Sequence, residues 1–181
     1  MRSLRPLFVF GAFSFSFAAY AAWGTGQPVP ARVASASGLV FDSAEMFVTE
    51  RHVQACNNTW AHTNVDVAVD LLANDAVVIP NGTICGVDLD IDGPIVIEGH
   101  GTGGGTFVLE LDVPVVHVEV SPQLTVANNT SAADWVELGA PGWVTATSLG
   151  LDPNEHIVVD TNHGLHAALA AALANDSVVL R

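Results

Sequence analysis

Val87-Asp88-Leu89-Asp90-Ile91-Asp92-Gly93-Pro94-Ile95-Val96-Ile97-Glu98 alternates aliphatic with acidic residues, with one interruption at Gly93-Pro94. A period of two puts successive side chains on opposite faces of an extended chain. Val87, Leu89 and Ile91 therefore share an inner face, and Asp88, Asp90 and Asp92 an outer one. Proline stops the run because it has no N–H to give to a ladder. The same texture continues outward from this stretch. Phe107, Leu109 and Leu111 alternate with Glu110 and Asp112, and Val116, Val118 and Val120 alternate with His117 and Glu119. Short strands are expected at 77–79, 87–91, 95–98, 106–111, 115–120, 124–126, 135–138, 143–147 and 157–159, each bounded by Gly, Pro, Asn or Asp.

The spacing of these strands points to an architecture. One series starts at residues 77, 95, 115, 135 and 157, and a second at 87, 106, 124 and 143. Two interleaved series with one period of about twenty residues are what a solenoid coil produces when it stacks on itself. Residues 65–73, with Asn64 as N-cap, read as a short helix ahead of the first coil. The expected fold is all-β: a right-handed parallel β-helix with an N-terminal cap helix. The alternative is an antiparallel β-sandwich.

A family resemblance rests on Asn74-Asp75-Ala76-Val77-Val78-Ile79-Pro80-Asn81-Gly82-Thr83, Val87 to Ile91, Pro94 to Gly99 and Gly104-Gly105-Thr106. This opening resembles that of the pectin-lyase-like superfamily over residues 64–127. The resemblance implies a capped β-helix, and it brings glycoside hydrolases and lyases into view. Gly99-His100-Gly101 echoes a polygalacturonase motif, but the chain lacks the lysine that the family's remaining set requires, and 99–105 reads better as a glycine-rich turn. No catalytic residues are assigned.

Composition narrows the function further. The 181 residues carry 19 Asp+Glu against 5 Lys+Arg, a formal charge of −14, with half the chain hydrophobic. Disorder is excluded by that hydrophobicity. Nucleic-acid binding is excluded because all five basic residues are Arg and none forms a basic face. Residues 1–21 read as a secretory signal peptide, with Arg2 and Arg5 ahead of an apolar run and Ala19-Tyr20-Ala21 as the cleavage site. Cleavage leaves no membrane span and removes two arginines, which deepens the charge to −16. Cys56 and Cys85 are the only cysteines, so one disulfide is expected in an oxidising compartment. Asn57, Asn81, Asn128, Asn129 and Asn175 each open an Asn-x-Ser/Thr acceptor triplet.

Residues 72–79 recur at 173–180 with six of eight positions identical, the second copy following a helical pattern over 166–174. The expected organisation is signal peptide 1–21, irregular N-terminal arm 22–63, β-helix domain 64–160 and the start of a second, incomplete unit at 161–181. On that reading the last strand has no following coil, and the chain is an N-terminal fragment or is completed by a partner.

Two constellations could bind ligands. In a coil offset by twenty residues Asp90 lies over Glu110 and Asp92 over Asp112, a set of oxygen ligands suited to calcium, with an ordinary solvated acidic face or no cofactor as the other reading. Trp135 and Trp143 begin strands in different series and could form a glycan-stacking edge. The function expected is a secreted or cell-surface module for glycan contact, adhesion or scaffolding, non-catalytic, with a carbohydrate or cell-surface partner. The alternative is a polysaccharide-active enzyme.

Overall fold

The computed structural model describes residues 27–34, 36–73, 75–79, 82–126, 135–175 and 177–180. The expected signal peptide and Asn81, Asn128 and Asn129 lie outside these residues. The chain order is β1 (Gln27–Val33), β2 (Leu39–Ala55), β3 (Trp60–Asp70), β4 (Ala76–Ile79), β5 (Gly82–Ile91), β6 (Ile95–Gly101), β7 (Thr106–Leu111), β8 (Val115–Val126), β9 (Trp135–Leu138), α1 (Ala146–Leu149), β10 (His156–Val159), α2 (His166–Asn175) and β11 (Ser177–Leu180). The all-β class expected from the alternation holds.

The strands form one open, mixed sheet in the order β10-β7-β6-β2-β5-β8-β11-β9-β1-β4. β2 is its spine. One edge pairs antiparallel with β6 over 39–45 and with β5 over 48–55, and the other pairs with β3 over 45–54. β6 and β7 are an antiparallel hairpin, and β5 and β8 continue its two arms. Among the described strands, β1 pairs parallel with β9, β7 with β10 and β8 with β11, and an isolated parallel bridge joins Ser37 to Thr145.

This pairing corrects the coil expectation, since no solenoid is formed among the described residues. The spacing of about twenty residues has another origin. Each arm of the hairpin breaks once, at Asp92-Gly93-Pro94 and at Asp112-Val113-Pro114, and the two breaks face each other. Ile95 pairs with Leu111 on one side of the corner, and the Ile91 N–H donates to the Pro114 carbonyl on the other at 2.9 Å. A bent hairpin and a stacked coil thus leave the same periodic trace.

The expected helix over 64–73 is also replaced, because residues 60–70 are strand β3. Val65, Val67 and Val69 are β-branched and alternate with Asp66, Ala68 and Asp70, a period of two that suits a pleated surface better than a helix. Nor are residues 22–63 an irregular arm, since β1, β2 and the start of β3 fall within them. Residues 143–147, expected as strand, instead lead into α1, where Thr145 and Ser148 form a reciprocal capping box. The second copy of the 72–79 motif closes α2 and forms β11. That strand lies between β8 and β9, paired on both edges, so it is not the open end that the coil reading required.

The core runs along the inner face of the sheet. Val87, Leu89, Phe107, Leu109, Leu111, Val116 and Val118 are buried, as their alternation requires, and Leu169, Ala170 and Leu173 of α2 join them. Gly99 shows how tight this layer is. It faces Phe107 across the β6–β7 ladder, and a Cβ there would lie 2.2 Å from the Val40 carbonyl oxygen and 2.7 Å from the Phe107 ring. Only a residue without a side chain lets the aromatic ring lie over the strand. The adjoining hairpin turn, with Gly105 at φ 77°, packs against the Asp152 carbonyl, where a Cβ would meet the oxygen at 2.4 Å.

Candidate functional site

A β-bulge decides what β2 shows to solvent. Before it Ala44, Met46 and Val48 point inward, and after it Arg51 and Val53 do. Thr49 is inserted relative to β5, where Val48 pairs with Ile91 and Glu50 with Asp90. On the other edge β3 carries the extra residue, Val65 and Asp66 opposing Thr49, and Asp66 takes a positive φ of 47° there. An uninterrupted strand would have carried the even-numbered positions on into the core. The bulge reverses the parity, so Glu50 and His52 come out onto the solvent face. Arg51 goes inside in exchange, and burial lowers its pKa from the ordinary arginine value.

The following hairpin brings the next imidazole alongside. Asn58 adopts the left-handed conformation at φ 64°, and its N–H donates to the Ala55 carbonyl at 2.9 Å, closing a three-residue loop. His62 of β3 then stands directly across from His52. The Cys56–Cys85 disulfide joins this loop to β5, as the cysteine count predicted.

The register extends the row across four strands: His62 on β3, His52 on β2, Asp88 on β5 and His117 on β8. The neighbouring row reads Asn64, Glu50, Asp90 and Val115. His52 sits at the centre. Its Nε2 lies 3.3 Å from Asp90 Oδ2 and 3.5 Å from Glu50 Oε2. That nitrogen is shielded from solvent and makes no hydrogen bond. His62 Nδ1 lies 3.8 Å from Glu50 Oε1, and the two imidazoles meet edge to face with centroids 4.3 Å apart. His117 Nδ1 is 2.9 Å from Asp88 Oδ1. Among the described residues, Glu50, His52 and His62 are the group of ligating side chains whose donor atoms all fall within 4.8 Å of one another.

The residues expected to bind calcium are placed differently. Asp90 faces Glu50 and Val115, and Glu110 faces Val96, so the offset-of-twenty stack of carboxylates is not formed. Asp92 sits in the first corner. Asp112 sits in the second, where its N–H donates to His166 Nε2 at 3.1 Å. Of the four, Asp90 joins the imidazole group. Trp143 is half-buried against the core, with its indole N–H donating to the Ala34 carbonyl at 3.4 Å, a packing role rather than a stacking platform. The side chain of Trp135 lies outside the described residues. His100 is on strand β6, its Nδ1 2.9 Å from Asp42 Oδ2. Asn57 is exposed in the β2–β3 loop, where its Oδ1 accepts from Thr59, and Asn175 is exposed at the end of α2.

Glu50, His52 and His62 were missed in the sequence although a signal was there. Glu50-x-His52 has the strand spacing that puts two side chains on one face, and residues 52 and 62 are equidistant from Asn57 at the loop centre. Comparison with protein-family models, curated proteins and solved structures finds no match for this chain.

Proposed function

We propose that the protein is a secreted or cell-surface β-sheet module that works by contact and scaffolding rather than by turnover. The observation that carries this reading is the Cys56–Cys85 bridge, set at the end of the β2–β3 loop beside the exposed acceptor asparagine Asn57. A disulfide of this kind persists in oxidising compartments, and glycans attach to exposed asparagines of exported chains. The signal-peptide pattern of residues 1–21 points the same way. Among the described residues no helix is long and apolar enough to cross a membrane. An acidic outer face and a close-packed inner face give a stiff surface whose field favours cationic partners.

The reading is tested by expressing residues 1–181 in a secretory host. It predicts protein in the medium beginning at Ala22, a Cys56–Cys85 peptide under non-reducing conditions, and a glycan on Asn57. Retention inside the cell with free thiols would contradict it.

A further inference from the structure

We propose that Glu50, His52 and His62, with Asp90 as the fourth ligand, form a binding site for a divalent first-row transition cation of the zinc type. The chemistry of the set argues for that class over calcium. Imidazole nitrogen suits zinc, copper and nickel, whereas calcium takes six to eight oxygens. Two histidines and a carboxylate are a recurrent zinc donor set, and a second carboxylate closes a four-coordinate sphere.

Three ligand-to-ligand distances approach that sphere, and Asp90, which stands outside the trio whose donor atoms all fall within 4.8 Å, closes it by a side-chain movement. Ligands about 2.05 Å from a tetrahedral metal stand about 3.3 Å from each other. Here Asp90 Oδ2 to His52 Nε2 is 3.3 Å, Glu50 Oε2 to His52 Nε2 is 3.5 Å, and Glu50 Oε1 to His62 Nδ1 is 3.8 Å. An independent feature singles out His52. Its Nε2 is removed from water yet makes no hydrogen bond, although two carboxylate oxygens lie beside it. A shielded nitrogen that makes no hydrogen bond while two carboxylate oxygens flank it is placed as a cation ligand would be.

The backbone is also built for the task. The four ligands come from β2, β3 and β5, adjacent strands of one sheet, so their Cα positions are held by ladder hydrogen bonds. The Thr49 bulge aims two of them outward, and the disulfide fixes the loop from which β3 starts. The formal charge of −14 raises the local concentration of any cation.

The experiment uses the secreted protein, stripped with chelator, and zinc chloride as the probe in equilibrium dialysis with metal analysis. The expected result is one zinc per chain, with affinity at least about tenfold weaker in His52→Gln and His62→Gln and unchanged in His100→Gln. His62 is more than half exposed, so its replacement leaves the fold intact. Cobalt substitution of the unaltered protein gives a second readout, the intense visible bands of a tetrahedral nitrogen–oxygen site. Calcium in excess is expected not to displace the zinc. No zinc retained, or zinc retained equally by His52→Gln and His62→Gln, overturns the proposal. Secretion, disulfide and glycan are read out separately, so this failure is distinct from failure of the proposed function.

Discussion

Replacing both Cys56 and Cys85 with alanine isolates what the disulfide contributes. The two cysteines are 29 residues apart in sequence, and the loop between them contains β3, β4 and the start of β5. In the chain-entropy model a loop of that length removes about 12 cal/mol/K from the unfolded ensemble, or about 3.6 kcal/mol at 25 °C. The folded state loses little by comparison. Ala55 already pairs with Ile84, the Cys56 N–H donates to the Thr83 carbonyl, and both cysteines are only half-buried. The effect should therefore sit in the unfolded chain. For a chain of this size about 3.6 kcal/mol corresponds to a fall in Tm of roughly 7–14 °C. Urea unfolding of the oxidised protein and of the double variant measures it, with near-UV circular dichroism to check that the native fold is kept. A loss under about 1 kcal/mol would refute the reasoning, by showing that the ends of this loop are held together without the bridge.

Two further outcomes follow from particular side chains. Gly99→Ala forces a Cβ against the Val40 carbonyl and the Phe107 ring, and should destabilise by about 1–3 kcal/mol or more in urea unfolding, whereas a neutral result would mean that the ring does not lie over the strand. The Asn162 N–H donates to Asp160 at 2.9 Å and holds that carboxyl below its ordinary value of 3.8. A depressed folded pKa gives stability that is present above the unfolded value and lost as pH falls through the folded one. Asp160→Asn should thus narrow the difference in urea midpoint between pH 7 and pH 3, and an unchanged difference would contradict that assignment.

The sequence made some layers of this fold readable and hid others for physical reasons. Where a strand runs without interruption, as at 87–91, 106–111 and 115–120, alternation identified both the strand and its buried face. In β2 the ladder register shifts around Asp42 and again at Thr49. At Thr49 the inward-facing residues change from even to odd, so the longest strand has no sustained period and reads as an arm. Pairing direction was invisible, because a bent hairpin and a coil place strand starts at the same intervals. The same blindness sent Asp90 to Glu110 instead of Glu50. His52 and His62 become neighbours only once 55–59 is seen as a tight hairpin loop, and the loop depends on Asn58 accepting a left-handed backbone. The cysteines were readable because a bridge needs only two of them.

The account turns on the antiparallel register that lines up β3, β2, β5 and β8, and backbone NMR tests it most directly. Nuclear Overhauser contacts between main-chain protons should connect His62 with His52, His52 with Asp88, and Asp88 with His117, the three steps of one row. Contacts that instead join residues offset by about twenty, with Asp90 against Glu110, would contradict the account and restore the coil.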